Sequence, residues 1–321
     1  MELRLVQDLQ YLSFPRLRNK SFRIDRGVVI TTDKARVAEM LDRYFMPDLG
    51  RMLRYELLAQ EAHVLFEGRF SQAAKMTHDQ AKYLARLQLI RTQHVLQSLW
   101  LLRDNSGNAG PVFIAAHHDD GTNNWSHESF SSWYFTADCR LETLSFTHCD
   151  LQRALRLFVA VDRLTPRVPY ETFQSRASGV VFPSRMARAL FASQKARCAN
   201  DVVVRITDYC IGFETLLSTD TAGVSHRVAE RAANFIGGDA AEKRSIFNDV
   251  KRLYDVRSRY VHGGHVKPGE EAECFKQSVR ADELLRRCLR KILRDRKLLV
   301  LFSADNQKQL QEYFLTSLFR N

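Results

Sequence analysis

The chain has 321 residues and a net charge of +11, from 48 Lys and Arg against 37 Asp and Glu. That length holds two domains of ordinary size or one large one, and 45% hydrophobic with 10% aromatic residues excludes a mostly disordered chain. No apolar run approaches the roughly 20 residues of a membrane span, and Met1-Glu-Leu-Arg-Leu lacks the basic-then-apolar pattern of a secretory signal.

The N-terminal half is expected to be α+β. Strand-like runs rich in β-branched and aromatic residues lie at Arg26–Thr31, His63–Phe66, Val112–Ala116 and Ser132–Thr136. Helical periodicity marks Asp33–Leu49, Asp79–Leu102 and Asp150–Leu164, and Arg103–Asn108 has the composition of a turn. Thr165–Ser184, with three prolines, is the candidate boundary between domains at 1–175 and 176–321. The C-terminal half is expected to be all helix: Ser193–Leu217, Ser225–Ile236, a helix opened by a capping box at Asp239-Ala-Ala-Glu242, Glu273–Leu299 and Ala304–Phe319. Five helices with short connections predict a compact bundle.

Cysteines 139, 149, 198, 210, 274 and 288 lack CxxC spacing and are expected to be reduced, in a cytoplasmic protein. His117-His118-Asp119-Asp120 has no metal-ligand spacing, because adjacent strand residues point to opposite faces. No metal or cofactor is expected. Trp125, Trp133, Tyr134 and Phe135 are taken as core packing rather than as a base-stacking surface. The positive charge is uneven. Residues 1–175 carry 22 Lys and Arg against 20 Asp and Glu, and residues 176–321 carry 26 against 17. A polyanionic partner is therefore expected for the C-terminal half.

The most informative stretch is Leu253-Tyr-Asp-Val-Arg257-Ser-Arg-Tyr-Val-His262-Gly263-Gly264. Its apolar stripe runs Ile246, Phe247, Val250, Leu253, Tyr254 and Val261, and Arg257 falls on that stripe. A guanidinium aimed at a packed face asks for an anion. His262 precedes two glycines suited to ending the helix, and an imidazole both takes and gives protons near neutral pH. An always-charged arginine and a titratable histidine suit chemistry on a phosphate.

An Arg-x4-His motif late in a helical bundle resembles the HEPN superfamily, and the Apea-like HEPN group more closely. Three segments in order carry the resemblance: Asp208-Tyr-Cys-Ile-Gly-Phe-Glu214-Thr-Leu-Leu217, Arg227-Val-Ala-Glu-Arg231-Ala-Ala233, and the Arg257/His262 stretch. It covers roughly residues 193–299. The resemblance implies a HEPN-type bundle and a metal-independent endoribonuclease acting on single-stranded RNA. The ribose 2′-hydroxyl attacks the neighbouring phosphate to leave a 2′,3′-cyclic phosphate, in a cleft shared by two protomers. By position His262 is the general acid or base, and Arg257 holds the scissile phosphate. Glu214 and Ser258 support them. Many superfamily members carry Asn, Asp or His where Ser258 stands. Gly264 stands where a subset modified by a nucleotidyltransferase carries tyrosine.

Five helical positions turn the chain by about 140°, which separates the two side chains unless the last turn loosens toward the glycines or a second protomer completes the site; a homodimer is expected. Arg259, Arg227, Arg231 and the basic run Arg287, Arg290, Lys291 and Arg294 are candidate RNA contacts. Relatives of this kind serve as toxins or antiphage effectors, which implies a trigger or regulatory protein. The competing expectation is a HEPN module that dimerises or binds RNA without cleaving it, with specificity in residues 1–175.

Overall fold

The chain is described by a computed structural model covering residues 1–45, 49–69, 75–130, 132–174, 182–219, 223–265, 267, 269–304 and 306–318. It divides into two compact units. The first comprises Met1–Ser132, Glu142–Asp162 and Arg167–Gly179, and the second Trp133–Leu141, Arg163–Pro166 and Val180–Asn321. The expected boundary at 175/176 lies outside the described residues.

The chain begins with β1 (Glu2–Gln10), β2 (Leu12–Ser13), β3 (Ser21–Asp25), β4 (Val28–Thr31), α1 (Lys34–Tyr44), α2 (Gly50–Ala59) and β5 (Ala62–Arg69). It continues with α3 (His78–Leu102), β6 (Asn108–His117), β7 (Asn123–Glu128), β8 (Leu144–Ser145), α4 (His148–Leu164) and α5 (Tyr170–Gln174). Six strands form one sheet in the order β3-β4-β5-β1-β6-β7, and every neighbouring pair is antiparallel. The α1/α2 pair packs on one face, where Val6, Leu65, Phe113 and Ala115 meet Val37, Leu41 and Leu57. Leu3, Leu5, Val112 and Ile114 pack with Ala81, Ala85 and Leu89 of α3 on the opposite face. Central strand β1 is thus buried on both faces.

Buried polar residues of this region draw their partners from β6 and from the helices on the sheet's faces. Gln7 donates to the Gly110 carbonyl at 2.8 Å and accepts from Thr92 at 2.7 Å. Buried His63, opposite Asp8 in the β1–β5 ladder, meets the Leu57 carbonyl through Nε2 at 2.8 Å. Burial pushes the His63 imidazole below its ordinary value.

Past the boundary the described chain is helical: α6 (Arg185–Cys198), α7 (Val202–Leu217), α8 (Val224–Ile236), α9 (Ala240–Val261), α10 (Glu271–Arg294), α11 (Arg296–Ser303) and α12 (Gln307–Leu318). Helix α7 is central, packing against α6, α8, α9 and α10. Ile206, Tyr209, Cys210, Phe213, Leu216 and Leu217 on it are all inaccessible to solvent.

Two expected helices are each broken by an aspartate. The stretch 193–217 divides where the Asp201 carboxylate accepts from the Val203 and Val204 amides at 2.7 and 3.1 Å. The stretch 273–299 divides at Asp295, which caps α11 through Lys297 and Leu298. A short carboxylate that satisfies the first free amides of a helix starts a new one there. The expected capping box is half present. Asp239 accepts from the Glu242 amide at 2.8 Å, while the Glu242 carboxylate accepts from the Gly238 amide instead of that of Asp239.

The strand expected at Ser132–Thr136 does not form. Buried Arg205 donates to the carbonyls of Thr136, Ala199 and Arg197, and Ser278 donates to the Ala137 carbonyl at 2.6 Å. These bonds hold Trp133–Leu141 in the second unit as an irregular strap. Trp125 and Trp133 are 39% and 45% exposed, so neither is the core residue expected, whereas Tyr134 is buried under the Arg197 guanidinium.

Candidate active site

The site is built on the C-terminal third of α9. Ile246, Val250, Leu253 and Tyr254 form its buried stripe, and Val256 joins them. Phe247 is only half-buried and stacks edge-on with His226, while Val261 is 54% exposed and lies outside the stripe. The stripe ends one turn earlier than expected because the helix runs into solvent with its last residues.

Arg257 continues the stripe toward α7. Its side chain is 32% exposed, and its Nη2 lies 3.5 Å from the Oε1 of Glu214, itself 27% exposed. That contact is an ion pair without hydrogen-bond geometry. The Arg257 Nε is buried with no acceptor. The guanidinium therefore keeps its hydrogen-bonding capacity unspent inside a half-buried setting, which is costly without an anion.

Tyr254, one turn earlier on α9, is 6% exposed, and its buried hydroxyl has no hydrogen-bond partner. It feels the Glu214 charge. Burial first, then Cys210 and Glu214, push the phenol far above its usual range. The same burial, with Glu214, raises the thiol of Cys210. In the sequence Tyr254 reads as a core residue alone. Its spacing of three residues from Arg257 was the available signal.

His262 is the C-cap of α9 and is exposed. The Gly263 amide donates to the Tyr260 carbonyl at 3.0 Å and the Gly264 amide to the Arg259 carbonyl at 2.7 Å. Gly263 has φ +78°, a left-handed residue that closes this helix end. A Cβ on Gly264 would stand 2.9 Å from the Arg259 carbonyl oxygen, so both glycines are needed for the end that holds His262. Among the described residues, no hydrogen bond or ion pair joins His262 to Arg257. The structure brings Arg257 together with Glu214 and leaves His262 on the surface. Ser258 is exposed, and Arg259 is paired with Glu270 at 2.9 Å.

The basic candidates separate into two groups. Arg231 donates to the Leu217 carbonyl at 2.6 Å and lies over the Phe314 ring. Arg287 donates to the Ile236 carbonyl at 2.8 Å and pairs with Glu242, and Lys291 reaches the Phe235 carbonyl. These three cations sit on the C-terminal carbonyls of α7 and α8, where helix dipoles favour them. Arg227 and Arg294 are exposed, and Arg290 is half-buried. Burial, with Arg286, Arg294 and Arg287 nearby, lowers the Arg290 guanidinium from its ordinary value.

Two open clefts lie elsewhere. One of about 630 Å³ is lined by His78, Lys82, Trp125 and His127, and one of about 580 Å³ runs along Arg244, Asn248 and Arg252 of α9. Among the described residues, no group of His, Cys, Asp and Glu is arranged to hold a metal ion, all six cysteines are free, and no helix is long and apolar enough to cross a membrane. Compared with protein-family models, with curated proteins and with solved structures, the chain matches none.

Proposed function

We propose that the helical unit is a HEPN-type endoribonuclease that cleaves single-stranded RNA without a metal, using Arg257 and His262. The observation that carries the reading is the half-buried Arg257 guanidinium, which makes no hydrogen bond and whose Nε is buried without an acceptor. A non-bridging phosphate oxygen meets that demand. In the proposed reaction the ribose 2′-oxygen gives its proton to an imidazole and bonds to the adjacent phosphorus. The P–O5′ bond breaks, and the 5′-oxygen takes a proton from an imidazolium. Arg257 stabilises the charge that grows on the phosphate.

Each protomer supplies one His262, so a homodimer supplies both the base and the acid. The separation of exposed His262 from inward-facing Arg257 supports a cleft completed by a partner copy. Arg290, Arg294 and Arg227 are proposed to guide the RNA backbone, while Arg231, Arg287 and Lys291 hold helix ends. A toxin or antiphage role, controlled by a trigger or a regulatory protein, belongs to the same proposal. That same separation also favours a second reading, a HEPN module that dimerises and binds RNA without cleaving it.

The test is cleavage of unstructured RNA by Arg257→Ala and by His262→Ala. Each is expected to lose cleavage with an unchanged circular dichroism spectrum. Full activity in either variant refutes the assignment. RNA binding without cleavage in the wild type, unchanged in His262→Ala, selects the second reading.

A further inference from the structure

Three polar groups meet between α7 and α9 in contacts too loose for a full hydrogen bond. The Tyr254 hydroxyl and the Arg257 Nε are both buried and unpartnered, and the Glu214 carboxylate lies 3.5 Å from Arg257 and beside the phenol. Cys210, inaccessible to solvent, lies close enough to interact electrostatically with all three and is a weak acceptor. A phenylalanine fills the place of Tyr254 with no buried hydroxyl to satisfy, so packing alone does not account for that oxygen.

One carboxylate thus faces two donors, ion-paired with Arg257 and in full hydrogen-bond geometry with neither in the resting protein. An anion at Arg257 changes the balance. A phosphate oxygen takes the guanidinium and repels the carboxylate, and the donor left within reach of Glu214 is the Tyr254 hydroxyl. We infer that Tyr254 is a positioning residue for Arg257: when a phosphodiester engages the guanidinium, the Tyr254 hydroxyl donates to Glu214 and holds that carboxylate away from the phosphate. The inference rests on the reading of Arg257 as the phosphate-binding residue. Because burial and its neighbours keep the phenol protonated, it is a donor throughout the neutral range. Glu214 then has two settings, one against Arg257 in the free protein and one against Tyr254 in the complex. Without Tyr254 the carboxylate stays in competition with the phosphate.

The test is a binding cycle on the full chain, using a fully 2′-O-methylated oligoribonucleotide that the 2′-hydroxyl route cannot cleave. Tyr254→Phe is expected to bind about ten-fold more weakly, the scale of one hydrogen bond lost from the complex. Its unfolding temperature is expected to be no lower than wild type, since the hydroxyl makes no full hydrogen bond in the free protein. Glu214→Gln, which removes the competing charge, is expected to bind no more weakly than wild type. Tyr254→Phe added to Glu214→Gln is expected to change nothing further. A Tyr254→Phe effect equal in both backgrounds, or absent from both, overturns the inference. So does wild-type binding that Arg257→Ala fails to weaken, which also removes phosphate binding from the proposed function. Failure of the wild type to cleave unmodified RNA counts against the nuclease alone and leaves this cycle fully readable.

Discussion

Replacing Gly263 by alanine tests whether the end of α9 holds His262 in a working position. Gly263 sits at φ +78° with open space around a would-be Cβ, so the perturbation is backbone strain without a clash. The left-handed conformation costs a non-glycine residue about 1–2 kcal/mol. For a unit of roughly 150 residues that lowers the unfolding temperature by about 2–8 °C. Relief of the strain comes from opening the last turn, which also releases the Gly264 amide from the Arg259 carbonyl and swings His262. A displacement on the scale of 1 Å at a catalytic group is worth about a hundred-fold. Cleavage of a labelled RNA is therefore expected to fall at least ten-fold. The control is Gly121→Ala, in the turn between β6 and β7, with φ +83° and equally open surroundings. It carries the same strain in the other unit and is expected to lose similar stability with cleavage unchanged. Gly263→Ala with full activity and a thermal shift like that of Gly121→Ala refutes the argument that this helix end positions His262.

Arg205→Lys replaces a planar guanidinium shared by three carbonyls with a point charge that cannot span them, and is expected to cost about 2 kcal/mol. Chemical denaturation measures the loss, and proteolysis is expected to reach Trp133–Leu141 sooner. His63 is held neutral, with its folded-state affinity for protons below that of the unfolded chain. The unfolded state therefore binds more protons as pH falls from about 6.5, and stability drops with acidification. His63→Gln is expected to flatten the stability profile between about pH 6.5 and 5; an unchanged slope contradicts it. Arg294→Ala is expected to weaken RNA binding and reduce the salt slope by about 1, while Lys291→Ala lowers the unfolding temperature and leaves the slope unchanged. Equal salt slopes in the two variants contradict that division.

The α+β layout was legible in the sequence because β-branched runs and helical periodicities lie in separate stretches. The central strand was not. Arg4, Gln7 and Asp8 interrupt the apolar run of β1, and their partners, Gly110 and Thr92 for Gln7 and Glu2 and Tyr44 for Arg4, come from distant elements or sit two residues away. Asp201 and Asp295 divided helices whose periodicity runs through them, since amide capping outweighs an unbroken apolar stripe. At the candidate site, the position of Arg257 on a packed face was visible from spacing alone. The division of the basic run on α10 was not, because a cation seated on a helix end and one held out to solvent occupy the same face of a helical wheel. Tyr254 was hidden for a related reason: an aromatic on a buried stripe satisfies the pattern whatever its hydroxyl does.

The chemistry of the product ends separates attack by the 2′-hydroxyl from every other route of cleavage. Purified protein is incubated in EDTA with a single-stranded RNA, with the same RNA carrying 2′-deoxyribose at every position, and beside the Arg257→Ala/His262→Ala variant. The wild type is expected to give 2′,3′-cyclic phosphate ends on RNA alone, with no products from the deoxy strand or the variant. Products with 5′-phosphate ends, cleavage of the deoxy strand, or cleavage by the variant contradicts it.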